Sequence, residues 1–180
     1  MLWGGAVVAV LLFGVSLYWF QPWKLVTSKT VNDAVPVVAP SETGGASRSG
    51  SAASVSPGAG SAAASARLVA QGKLITHEHA TSGTAELVRL PSGRHRLILR
   101  ELSTSDGPDL RVWLTDQEVL RGSEGWKVFD DGRYVEVGRL KGNQGTQVYD
   151  VPQDVDVADY RSVSIWCKRF SVSFGAATLA

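Results

Sequence analysis

One thiol, three imidazoles and two clusters of carboxylates are the side chains of this sequence with chemistry to offer. Cys167 stands in RSVSIWCKRFSVSFGAA (161–177), an apolar, β-prone run, behind Trp166 and ahead of Lys168 and Arg169. A lone thiol can act as a redox centre or as a thiolate ligand, provided its pKa is lowered and it can be reached. Buried, it is simply a small apolar residue. Arg169 shares the strand parity of Cys167 and is the cation placed to lower its pKa, whereas Lys168 points to the opposite face. Both readings of the sulfur stand on sequence grounds. THEH (76–79) in an extended strand sets His77 and His79 on one face about 7 Å apart, a spacing that permits a shared metal. A solvated edge-strand pair capping a turn explains the two histidines better. Blue copper also calls for an axial methionine, and the only methionine is Met1.

TSDGPDL (104–110) places Asp106 and Asp109 around Gly107 and Pro108. Turn chemistry explains this better than cation binding: Asp accepts backbone N–H groups, Gly supplies positive φ, and Pro fixes the approach to the next strand. DVDVAD (154–159) lacks the Gly and terminal Glu of a calcium hand. Its Asp154 instead suits the cap of a short helical turn before Tyr160. No nucleophile elbow and no phosphate loop in a strand–helix setting is present. The single cysteine excludes an internal disulfide, C-x-x-C chemistry and covalent c-type haem attachment. The charge is nearly balanced, 18 basic against 17 acidic residues, with no basic stripe, so no nucleic-acid partner is expected.

These groups need a scaffold, and the chain reads as several segments. LWGGAVVAVLLFGVSLYWF (2–20) carries no charge, and about 20 such residues in a helix cross a hydrocarbon core. Trp19, Trp23 and Lys24 sit where an interfacial belt falls. LYWFQPW is too bulky for a cleavage site, so 1–23 is expected to be an uncleaved transmembrane anchor. Residues 24–35 form a juxtamembrane segment without a structural assignment. Residues 36–66, nearly all Ser, Ala, Gly, Pro and Val, are expected to be a disordered tether with a reach of roughly 30 Å.

From 67 to 180 apolar residues recur with period two, broken by turns every eight to twelve residues. That pattern predicts an all-β domain, an antiparallel sandwich of about seven or more strands. Strands are expected at 84–90, 94–102, 110–114, 133–140, 147–151 and 162–174, with PSG (91–93) as a hairpin loop. In the last strand Val163, Ile165 and Cys167 share one parity, and Phe170, Val172 and Phe174 the other. A bulge near Lys168–Arg169 would reconcile them.

HATSGTAELVRL, STSDGPDLRVWLTD, GRLKGNQGTQVYDVP and YRSVSIWCKRFSVSFGAATL follow one another with short spacers. Together they resemble the DM-thirteen domain, a family of extracytoplasmic, often membrane-tethered modules labelled electron transfer; the likeness covers about 68–178. It implies a redox module working through a thiol, or through a haem-like group bound near it. Cys167 matches the family's cysteine and His79 the histidine before its TSG turn. On this reading Cys167 is the redox centre, and His79, Trp166 and Cys167 form the surround of any cofactor. The partner would be a membrane or surface oxidoreductase. The positive-inside rule alone leans toward a cytoplasmic C-terminus, through Lys24 and Lys29. The tether and the resemblance lean the other way, to a single-pass protein of the cell membrane with its domain outside. The alternative is a non-catalytic recognition module for protein, glycan or wall polymer, with a structural cysteine and Trp113 and Trp126 as an aromatic platform.

Overall fold

The computed structural model describes residues 11–18, 27–39 and 65–180. Residues 11–18 are helical, and most of the expected anchor and of the expected tether lies outside the described residues. Among the described residues no helix is long and apolar enough to cross a membrane.

Everything else with regular structure is essentially β. The strands are β1 (Thr30–Asn32), β2 (Val38–Ala39), β3 (Ala66–Lys73), β4 (Ile75–Thr76), β5 (Ser82–Arg89), β6 (His95–Ser103), β7 (Leu110–Thr115), β8 (Tyr134–Arg139), β9 (Gln144–Asp150), β10 (Ser162–Cys167) and β11 (Val172–Thr178). One sheet runs β1-β9-β6-β5-β3-β2 and the other β4-β11-β10-β7-β8. All pairings are antiparallel except β1 with β9 and β2 with β3. Leu87, Leu97, Leu99 and Tyr149 of the first sheet share one core with Val112, Ile165, Cys167 and Phe174 of the second. Period-two alternation is what lets each sheet aim one set of side chains into that core. The PSG turn closes as expected, with Gly93 at φ 83 and its N–H donated to the Leu90 carbonyl.

The expected boundaries at 24–35 and 36–66 do not coincide with the sheet. β1 and β2 are edge strands at opposite sides of the first sheet, and Val35 and Val38 pack on Ala66, Val88 and Ile98 of its outer face. This stretch of the chain is therefore part of the domain. Its apolar residues cover a face that would otherwise be wet, while Asp33 pairs with Lys141 and accepts from the Val148 N–H at 2.9 Å. Ala39 and the start of β3 lie side by side in register, so residues 40–64 join two neighbouring strands.

The expected long strand at 162–174 is instead a hairpin. β10 ends at Cys167 and β11 begins at Val172, across a turn in which Ser171 adopts φ 49. The change of parity after Cys167 is absorbed by that turn and not by a bulge at Lys168–Arg169. A bulge does occur nearby, on β11: Ile165 pairs with Gly175 and Trp166 with Ser173, leaving Phe174 as the extra residue. The short helical turn Val157–Asp159 forms where expected, but its cap is Asp156, which accepts from the Ala158 N–H at 3.0 Å, rather than Asp154.

Both faces of the second sheet are covered. The loop 116–133 folds over its outer face and seals a second core of Trp113, Trp166, Phe129 and Ala176. Ser162, Ser164 and Ser173, which a simple alternation would leave in solvent, are fully buried under it. Trp113, 2 % exposed, and the half-buried Trp126 therefore form no exposed platform.

Candidate functional site

Cys167 is the last residue of a central strand, opposite Leu110 of β7 and Val172 of β11. Its side chain joins the core between the sheets and is 0 % exposed. Burial pushes the thiol pKa up, because a thiolate there would lose its hydration; the backbone amides of Phe170, Arg169 and Asp109 pull the other way and do not win, and the charge of Glu78 adds to the rise. At neutral pH the sulfur is a neutral thiol. Arg169, the cation expected to lower its pKa, does so only through its backbone.

The two histidines do not share a face. Residues 77–79 bend instead of extending β4, and the bend sends the rings to opposite sides of the sheet. His77 enters the outer core: Nδ1 lies 2.9 Å from Ser173 Oγ, Nε2 lies 3.0 Å from the Leu120 carbonyl, and the ring stacks on Phe129 at 5.7 Å. Burial lowers its pKa, with the Leu120 contact opposing. His79 rests on Phe174, ring centroids 3.9 Å apart, with Nε2 3.7 Å from Glu78. The shared-metal geometry at THEH is thus not formed, and among the described residues no group of three potential ligands is brought together.

What the fold does bring together is one end of the second sheet. Thr81 Oγ1 donates toward the carbonyls of His79 (2.9 Å) and Phe174 (3.0 Å) and lies 2.8 Å from Thr104 Oγ1. A Cβ on Gly107 would stand 3.0 Å from Phe174 and 3.1 Å from Leu110, so a larger residue here would have to push those side chains aside by a few tenths of an ångström. The Lys168 N–H bonds the Asp109 carbonyl, and the Leu140 N–H bonds that of Leu110. Segments far apart in sequence, around 79–83, 104–110, 139–147 and 166–175, therefore meet around Cys167 and Phe174. Asp106 accepts from the Gly107 N–H at 2.8 Å, and Asp109 pairs with Arg111 at 2.8 Å and Arg139 at 3.6 Å. Those carboxylates do turn and ion-pair duty.

Sequence reasoning passed over the groups that hold this end in shape. Gln147 is fully buried; its Oε1 accepts from the N–H of Lys141 (3.0 Å), the N–H of Gly142 (3.3 Å) and the hydroxyl of Tyr149 (2.7 Å), and its Nε2 donates to the Gly142 carbonyl at 2.7 Å. Burial keeps the Tyr149 phenol protonated, so it remains a donor. The signal was present in GNQGTQVY: Gln147 shares the strand parity of the buried Tyr149 and so points into the core with it.

A cleft of about 170 Å³ opens beside this end, lined by Lys29, Asp106–Leu110 and 139–142, and it includes neither Cys167, His79 nor Trp166. Haem needs an apolar slot and an axial ligand free to reach it. The cleft is charged and smaller than the roughly 300 Å³ at which small-molecule pockets begin. The sulfur is sealed, and one face of the His79 ring lies against Phe174. The residues described do not fit a haem.

A family model described as Electron transfer DM13 matches residues 73–179. Comparison with curated proteins gave no match, and neither did comparison with solved structures.

Proposed function

The chain belongs to the Electron transfer DM13 family, and on that premise we propose that it is a redox-accessory module, tethered to a membrane on its outer side. It passes single electrons to or from a membrane or surface oxidoreductase at the end of the sheet where Cys167, Trp166 and His79 lie. Electron transfer in the coarse sense comes with the family; the residues, the tether and the partner are our reading. The observation that carries it is the convergence of four distant segments on the end of the sheet that holds Cys167 and Phe174.

The geometry favours electron transfer over thiol exchange. Thiol–disulfide exchange requires a thiolate in line with a second sulfur, and Cys167 is neutral, fully buried and the only cysteine. An electron needs only close-packed groups, not access. The entry of the chain supports a partner in the membrane. Thr27 Oγ1 donates to Asp106 at 3.1 Å and the Lys29 N–H to Asn143 Oδ1 at 2.6 Å. This end of the domain therefore begins a few residues after Trp23, at the expected membrane interface.

The test is voltammetry of the full chain in detergent, with Cys167→Ala and His79→Gln alongside. A one-electron wave that shifts or vanishes in Cys167→Ala, with the circular dichroism spectrum retained, is expected. A chain with no wave in any form overturns the reading. The specific observation favouring a recognition module is the sealed sulfur itself, and under that reading both variants leave the electrochemistry silent and the fold intact.

A further inference from the structure

Three aromatic residues cross the outer face of the second sheet on three neighbouring strands. Tyr134 opens β8, Trp113 lies in the middle of β7, and Trp166 precedes Cys167 on β10. Tyr134 stacks on Trp113 with centroids 3.9 Å apart and planes 9° from parallel; Trp113 stacks on Trp166 at 5.0 Å and 24°. Tyr134 is 45 % exposed, whereas Trp113 and Trp166 are 2 % and 1 % exposed. The column therefore runs from solvent to the residue beside Cys167, in continuous ring contact, with no saturated side chain between.

A second observation is independent of the stacking. Among the described residues the buried indole Nε1 atoms of Trp113 and Trp126 have no hydrogen-bond partner, and Trp113 is the one that stands in the column. An orphan buried donor is uncommon and calls for a reason. An indole that loses an electron becomes acidic at that N–H, and with an acceptor present it gives up the proton and traps the charge. Without one, the oxidised ring keeps its proton and can only be refilled by an electron from a neighbour.

We propose that Tyr134, Trp113 and Trp166 form a one-electron relay connecting the Cys167 end of the sheet with the solvent at Tyr134. It rests on the electron-transfer reading above but not on the thiol. When Trp166 has lost an electron to a high-potential one-electron oxidant of the high-valent metal class, held by the partner oxidoreductase and itself reduced by one electron, Trp113 supplies one, and Tyr134 refills Trp113. Tyr134 then releases its phenol proton to water, leaving a neutral tyrosyl radical: one electron has moved inward and one proton outward. A hydrogen-atom donor of the quinol or enediol class restores the phenol at the surface. At Tyr134, unlike at the buried Trp113, the proton has water to go to.

The test uses the full chain in detergent carrying Cys167→Ala and Lys168→Cys, the new thiol bearing a ruthenium polypyridyl photo-oxidant two residues from Trp166. A flash in the presence of a sacrificial quencher should yield a tyrosyl absorption. Trp113→Phe should lower that yield by an order of magnitude. Tyr134→Phe, a surface change that keeps the ring, should abolish it and leave a longer-lived tryptophanyl signal. A tyrosyl yield unchanged in Tyr134→Phe overturns the relay, whether or not Trp113→Phe folds. Because the background lacks Cys167, a failure here is separate from a failure of the thiol reading, which the voltammetry addresses with the column intact.

Discussion

The sealed sulfur makes a quantitative prediction about its own reactivity. Cys167 ends a strand that pairs at six positions with β7 and at six with β11, and its neighbours Leu110, Val172 and Phe174 are themselves buried. A reagent can reach it only after the hairpin opens or the domain unfolds. Global stabilities of domains this size run from about 5 kcal/mol upward, and loss of this end opens both the core and the ladder. An opening free energy of about 4 kcal/mol is a reasonable floor, which at 1.4 kcal/mol per decade slows labelling by roughly 10³. The perturbation is iodoacetamide at about pH 8, where an ordinary thiol is already roughly one-quarter thiolate. Because there is one cysteine, intact mass reads the reaction without ambiguity. Native protein should label about a thousandfold more slowly than the same chain in denaturant. The dependence of the rate on urea separates the routes: a slope matching the equilibrium m-value means global unfolding, and a slope near zero means fraying at the Lys168–Ser171 turn. Native labelling within about tenfold of the unfolded rate would refute the reasoning, since the sulfur would then be presented to solvent and thiol exchange would return as a mechanism.

Other outcomes follow from the same geometry. His77 has a pKa lowered by burial, so the unfolded chain binds the extra proton first; stability should be flat above about pH 6.5 and fall below it, by at most about 1.4 kcal/mol per pH unit. Urea melts at about pH 8 and pH 5.5 check this, and a flat profile across that range contradicts a neutral buried imidazole. Gln147→Ala strips partners from the Lys141 and Gly142 backbone and from Tyr149, and should lower stability by roughly 3 kcal/mol; a shift under about 0.5 kcal/mol in chemical denaturation speaks against the network. Gly145 has φ 96, and a Cβ there would lie 2.1 Å from the Val31 carbonyl oxygen. Gly145→Ala should therefore detach β1, read as loss of amide-exchange protection at Thr30–Asn32 with the inner strands unchanged.

Legibility in the sequence varied with the kind of force involved. Alternation of Leu110, Val112 and Leu114, or of Val163, Ile165 and Cys167, is a local pattern that any buried sheet face must carry, and it identified those inward residues correctly, though not the end of the second strand at Cys167. The PSG turn was equally local. Edge strands β1 and β2 were not legible, because two or three residues hold no period, and they dock only because Val88 and Ile98 offer an apolar face that other segments build. The outer core was missed for a related reason. Serines alternating with Val and Ile carry no local sign of a second core, yet Ser162 bonds to the Gln117 carbonyl, Ser164 to Ser173, and Ser173 to the Gly175 carbonyl beneath the 116–133 loop.

By itself the sequence determined the all-strand character of the domain, its family, and the residues with chemistry to offer. Only the tertiary structure decided which of them can use it. Whether a thiol is reactive depends on its desolvation and on the charges around it, and both are set by residues outside its own strand: the core that includes Leu110 and Phe174 buries Cys167, and the charge of Glu78 adds to the rise in its pKa. The same long-range packing separated His77 from His79 and laid Tyr134, Trp113 and Trp166 in one column. Proximity across strands depends on which strands pair, and β7 pairs with segments well removed along the chain, β8 and β10.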